Sequence, residues 1–124
     1  MRNIVLAVTL IISINVYGQT KLVERGDFST NLKEKFYVLK SDKNIREGEY
    51  KAYALMQNYL TVEGAYKNNL KDSVWKYYSA GKNLVLEGTF KADRKVGIWN
   101  AYIRQQVQVS YDYTNRKLLF LNLH

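Results

Sequence analysis

Glu63-Gly64-Ala65-Tyr66-Lys67 returns 24 residues later as Glu87-Gly88-Thr89-Phe90-Lys91. At the same offset of 24, Ser73-Val74-Trp75-Lys76-Tyr77-Tyr78 returns as Gly97-Ile98-Trp99-Asn100-Ala101-Tyr102. Gly48-Glu49-Tyr50-Lys51-Ala52-Tyr53 is a weaker copy 25 residues before the Ser73 segment. A decayed copy, Tyr113-Thr114-Asn115-Arg116-Lys117, aligns with Phe90-Lys91-Ala92-Asp93-Arg94. A fixed period of this length marks a repeat architecture, in which each unit buries its apolar face only against its neighbours. Residues 36–117 form one array with no linker inside it.

Each unit reads as a hairpin. Short segments rich in Tyr, Val, Trp and Leu alternate between faces and are separated by turn-type residues. These turns include Ser41-Asp42-Lys43-Asn44, Met56-Gln57-Asn58, Asn68-Asn69-Leu70-Lys71-Asp72, Ala80-Gly81-Lys82 and Ala92-Asp93-Arg94-Lys95. Connections this short force antiparallel neighbours, since a parallel crossover needs roughly a dozen residues or more. The expected fold is therefore all-β: an antiparallel meander of stacked hairpins in one sheet. Eight strands are expected near 35–40, 48–55, 59–67, 73–79, 84–91, 97–103, 107–113 and 117–123. Leu118-Leu119-Phe120-Leu121-Asn122-Leu123, at the end, reads as a terminal capping strand, or as a strand that pairs with a partner.

Turn lengths propose a register. A two-residue turn at Gly81-Lys82 pairs Ala80 with Asn83, Tyr77 with Leu86 and Trp75 with Gly88. A three-residue loop at Met56-Gln57-Asn58 pairs Ala52 with Val62 and Tyr50 with Gly64. A turn at Leu70-Lys71 pairs Tyr66 with Trp75. Tyr50, Tyr66, Trp75, Phe90 and Trp99 then share one face, with Gly64 and Gly88 lying under rings that restore the packing a strand glycine lacks.

The pattern Glu-Gly-x-aromatic-Lys, a polar turn, then Gly/Ser-x-Trp-x-x-Tyr resembles the bacterial variant of MORN repeats, the form known as the YwqK-family antitoxin. The resemblance covers about residues 36–117. It implies antiparallel hairpins stacked into an elongated single sheet, and a role in scaffolding, membrane association or toxin neutralisation. This sequence departs from the pattern at four places. Asn68-Asn69 and Ala92-Asp93 stand where Asn-Gly is usual, Ser73 replaces glycine, and Tyr111 stands where glycine is expected.

Outside the array, Met1-Arg2-Asn3 precedes an apolar run from Ile4 to Ile14, followed by Val16-Tyr17-Gly18. This reads as a signal peptide cut after Gly18, the run being shorter than the roughly 20 residues of a spanning helix. The expected organisation is residues 1–18 signal peptide, 19–34 polar N-terminal segment and 35–124 repeat domain, so the expected location is periplasmic or secreted. Of the 19 Lys and Arg and 11 Asp and Glu in 124 residues, only Arg2 leaves with the signal, so the formal charge of +8 becomes +7.

Several chemistries are excluded. The chain has no Cys and no Pro, and its one His is His124. No disulfide, thiol nucleophile, Cys-ligated metal or Ser-His-Asp triad is possible, and no cofactor motif occurs. Glu63 and Glu87 could pair as glycosidase carboxylates. Repeat periodicity alone explains their presence, with Lys67 or Lys91 as their expected neighbours. Arg25-Gly26-Asp27 spells an integrin-type tripeptide, which chance also produces. The candidate binding surface is Lys67, Lys71, Lys76, Tyr78, Lys91, Arg94, Lys95 and Tyr102, where charge is mixed with aromatics. The competing explanation is a solvated rim whose lysines discourage edge aggregation. The expectation is a non-enzymatic binding or scaffold protein for a protein or anionic envelope component, not nucleic acid. An antitoxin-like or immunity protein is the alternative.

Overall fold

The computed structural model describes residues 17–123. All but the last two residues of the expected export segment lie outside them. After a single 3-10 turn at Tyr17–Gln19 come nine strands: β1 Thr20–Asp27, β2 Leu32–Leu39, β3 Arg46–Ala54, β4 Tyr59–Lys67, β5 Leu70–Ser79, β6 Asn83–Lys91, β7 Arg94–Ile103, β8 Gln106–Asp112 and β9 Lys117–Leu121. They form one open antiparallel sheet in sequence order. The all-β meander is thus as the repeat implied, with one strand more than the eight expected. The additional strand, β1, comes from the polar segment. It pairs in full with β2, although its side chains are mostly exposed and four of its eight residues are charged. Backbone pairing needs no apolar alternation, which is why the pattern hid it.

Short turns set the hairpins. Asn68-Asn69, Ala92-Asp93 and Arg104-Gln105 all have positive φ at both residues, the condition for a two-residue type I′ turn. The turn after β4 is therefore Asn68-Asn69, not Leu70-Lys71. Tyr66 pairs with Lys71 in the backbone, not with Trp75. The turn after β5 is three residues, with Ser79 opposite Asn83. Val85 is the extra residue that restores Tyr77↔Leu86 and Trp75↔Gly88. Thr61 does the same after a four-residue loop and restores Ala52↔Val62 and Tyr50↔Gly64. In both hairpins, loop length and a single-residue bulge compensate each other.

A second, wider irregularity recurs where one hairpin meets the next. Gly64 stands against Ser73–Trp75, and Gly88 against Gly97–Trp99. Ser73 and Gly97 both have φ of 65° there. The repeat thus puts a left-handed residue two before each Trp, and Ser73 carries the strain that Gly97 avoids.

The core is one face of the sheet. Phe36, Val38, Tyr50, Ala52, Trp75, Phe90 and Trp99 form its buried cluster. Ring centroids run Tyr50–Tyr66 at 5.5 Å, Tyr66–Trp75 at 5.3 Å, Trp75–Phe90 at 5.9 Å and Phe90–Trp99 at 5.0 Å. Such edge-on contacts are worth about 0.5–1.5 kcal/mol each beyond area burial. The two glycines are covered from the side opposite to the one expected. Gly64 pairs with Tyr50, but a Cβ there would collide with the Trp75 indole; at Gly88 it would collide with Trp99. Each indole N–H reaches the neighbouring strand, Trp75 donating to the Ala65 and Asp72 carbonyls and Trp99 to the Thr89 carbonyl.

Candidate functional site

Cations lie over the aromatic ladder at the repeat spacing. Arg46, Lys71 and Lys95 each sit two residues before Gly48, Ser73 and Gly97. Arg46 lies 4.1 Å from the Phe36 centroid and 5.3 Å from that of Tyr66. Lys71 is 4.9 Å from Trp75 and 5.1 Å from Phe90. Lys95 is 5.0 Å from Trp99 and 5.2 Å from Tyr113. These are cation–π distances, and the side-chain stems help cover rings that no second layer protects.

The charges are treated differently along the sheet. Arg25 and Arg46 share Glu34, at 3.0 and 3.9 Å, and Lys35 and Lys51 meet Glu24 and Glu49. Glu34 also accepts from the Tyr50 hydroxyl at 2.6 Å. Burial alone would raise the Glu34 carboxyl, but the Tyr50 bond and the two arginines hold it below the usual carboxylate range. Burial and Glu34 together push the Tyr50 hydroxyl well above a normal phenol. From β4 onward no ion pair occurs among the described residues. Residues 56–123 hold ten basic and five acidic side chains, +5, against eight and six, +2, in residues 17–55.

The turns at one end of the sheet clasp the strand that precedes their own hairpin. Asn69 accepts the Arg46 N–H on its side chain (3.2 Å) and donates its own N–H to the Arg46 carbonyl (2.8 Å). Asp93 repeats both bonds on Lys71, at 2.6 and 2.9 Å. The last turn, residues 113–116, makes the same two bonds two residues further along. Thr114 Oγ1 accepts the Gly97 N–H at 2.8 Å, and the Tyr113 N–H donates to the Gly97 carbonyl at 2.9 Å. The start of β7 is left unclasped. An open cleft of about 450 Å³ lies there, lined by Lys91, Arg94, Lys95, Tyr113, Thr114 and Arg116, and it continues onto Tyr111. Among the described residues, no carboxylate lines it. The nearby Asp93 is spent on Lys71. Asp112 accepts from Thr114 and Asn115, and the Asn115 bonds hold its carboxyl low.

The eight expected binding residues do not make one surface. Lys91, Arg94 and Lys95 meet in the cleft. Lys71 is on the aromatic face but belongs to the middle of the ladder. Lys67 flanks the Asn68-Asn69 turn, opposite Leu70. Lys76, Tyr78 and Tyr102 lie on the opposite face. There Tyr78 donates to Glu63 at 2.8 Å and Tyr102 to Glu87 at 2.6 Å. Glu63 and Glu87 therefore face tyrosine hydroxyls and, across the strands, Lys76, instead of Lys67 and Lys91. Burial and the Glu63 bond push the Tyr78 hydroxyl up to about 12. The Glu87 bond, with burial, also raises Tyr102. Both carboxylates serve as fixed acceptors in a repeated pair.

Tyr111, Tyr113, Thr114 and Arg116 also line the cleft and are not among the eight expected residues. Three of them lie in the decayed repeat copy, and that decay is what opens the cleft. The tripeptide Arg25-Gly26-Asp27 is engaged within its own hairpin: Arg25 binds Glu34, and Asp27 accepts from Ser29. Among the described residues, no three His, Cys, Asp or Glu side chains are placed to hold a metal ion, and no helix is long and apolar enough to cross a membrane. No family model matches the chain, and no curated protein or solved structure matches it either.

Proposed function

We propose that this chain is an exported, non-enzymatic β-repeat protein of the bacterial envelope that works by binding or scaffolding, with a MORN-like repeat as its frame. The observation that carries the reading is the cleft at the start of β7. Four cations meet there beside an aromatic ring with no carboxylate in the described lining, while in the matching cleft at the first strands Arg25 and Arg46 share Glu34. Unneutralised charge gathered in a concave site favours an anionic partner and speeds its encounter. The two repeated carboxylates, each bonded to a tyrosine, support a structural role for them over acid–base chemistry.

The partner is a protein or an anionic envelope component. A toxin neutralised by direct contact is the second reading, which the same cleft favours if the toxin presents acidic groups. The test is capture from envelope extract by the full chain and by an Arg94→Glu/Arg116→Glu variant. The proposal expects one or more partners held by the parent chain at low salt and lost by the variant. Equal capture by both would remove the cleft from the account. Recovery of a single stoichiometric toxin would replace scaffolding with immunity.

A further inference from the structure

The cleft is the place where the repeat lacks its own clasp. Asn69 closes on Arg46, and Asp93 closes on Lys71, each through one side-chain acceptor and one backbone N–H. Lys95 is the next position in that series, 24 residues after Lys71. The two-residue turn Ala92-Asp93 makes Lys91–Arg94 the hydrogen-bonded pair of its hairpin and leaves Phe90–Lys95 as the open pair. The N–H and C=O of Lys95 therefore point away from β6, as those of Lys71 point to Asp93. The turn that should meet them has moved to Gly97. Among the described residues no side chain accepts from the Lys95 N–H, and none donates to its carbonyl.

We infer that an acidic turn of a partner protein completes this clasp, with an Asp as the residue that enters. The inference rests on the binding reading above and names the chemistry of the partner. The chain itself supplies the template: Asp93 presents a carboxylate oxygen to one N–H and its own N–H to one carbonyl. A phosphate or a sugar carboxylate offers the acceptor, but not with a backbone N–H held beside it in the geometry of a two-residue turn. A peptide Asp offers both, and Lys91, Arg94, Lys95 and Arg116 line the cleft that receives the entering charge. Tyr113, 38% exposed, gives the flank of the incoming turn an aromatic surface.

The test is an amide-resolved NMR titration of the full chain with a cyclic hairpin peptide whose two-residue turn is Ala-Asp. The inference expects saturable shifts at the Lys95 and Tyr113 amides. Binding should weaken roughly tenfold or more when the peptide Asp is replaced by Ala, and also when its backbone nitrogen is methylated. The Arg94→Glu/Arg116→Glu variant should weaken it similarly while its other amides stay in place. Saturation by inorganic phosphate or polygalacturonate at the same amides, with no effect of N-methylation, would overturn the acidic-turn inference and leave an anion-binding cleft. Shifts at neither amide with any probe would also overturn it. If the extract partner is still lost from the variant in that case, the binding reading survives alone.

Discussion

At the β1–β3 end of the sheet three of the four cations over aromatic rings, Arg25, Lys35 and Arg46, are held by acids; at the β7–β9 end Lys95 is not. Arg25 and Arg46 close on Glu34, whereas Lys95 lies over Trp99 and Tyr113 with no ion pair among the described residues. The frame is the same at both ends: a ladder of rings, a left-handed residue before the central aromatic, and a cation two residues earlier. The difference shows which features the repeat needs to stand and which are left over. The ring ladder runs through both ends, whereas the clasp is complete at Arg46 and Lys71 and is displaced to Gly97 beyond Lys95. The free positive charge is needed at neither, so it is available for a partner.

The largest effects should come from the rings, and they should rank the two regions. Trp75 touches Tyr50, Tyr66 and Phe90, while Trp99 touches Phe90 and Tyr113 nearer the open end. Either Trp→Ala change should cost about 3–5 kcal/mol, with Trp75→Ala the larger, by urea denaturation. A larger loss at Trp99 would place the structural centre at the wrong end. Next come the covered glycines. Gly88→Ala drives a methyl into the Trp99 ring and should cost about 1–3 kcal/mol by overpacking, read in the same experiment.

The left-handed position permits a matched exchange. Ser73→Gly should stabilise the chain by about 1 kcal/mol, and Gly97→Ser should destabilise it by a similar amount, in thermal melts. Opposite signs at equivalent sites would confirm that both regions share one backbone. Two losses would mean that Ser73 contributes something the glycine does not.

The smallest effect is on the opposite face, where Tyr78–Glu63 and Tyr102–Glu87 repeat the same pair. The folded Tyr78 keeps its proton to about pH 12, whereas an ordinary tyrosine releases it near 10. The native state therefore binds more protons than the unfolded chain across that window. Stability is complete below about pH 10 and falls as pH rises toward 12. A Tyr78→Phe variant should lose part of this alkaline slope in denaturation profiles. An unchanged slope would assign it to Tyr50, Tyr77 and Tyr102, whose hydroxyls are raised as well.

Much of the fold was legible because repeat spacing and face alternation survive small irregularities. Trp75↔Gly88 and Tyr50↔Gly64 were readable for that reason: Val85 and Thr61 compensate for turns longer than assumed. Tyr66↔Lys71 was not, because the turn falls at Asn68-Asn69, both in left-handed backbone, two residues before the Leu70-Lys71 turn expected. β1 was hidden by Lys21, Glu24, Arg25 and Asp27, which pair through their backbone and expose their side chains. For the site, the basic residues near turns were visible, but not their division between two faces. The series Arg46, Lys71, Lys95 was present in the sequence and would have pointed to the ladder. The missing clasp at Lys95 shows only when the last turn is seen to engage Gly97.

The most direct test of the contrast is to reverse two cations at each end and measure affinity for an Asp-bearing hairpin peptide against salt. Arg94→Glu/Arg116→Glu should weaken binding roughly tenfold or more and flatten its salt dependence. Arg25→Glu/Lys35→Glu should leave both nearly unchanged, because those charges are already answered by Glu34 and Glu24. Equal losses from the two ends would contradict the account, since binding would then follow total charge and not the unclasped cleft.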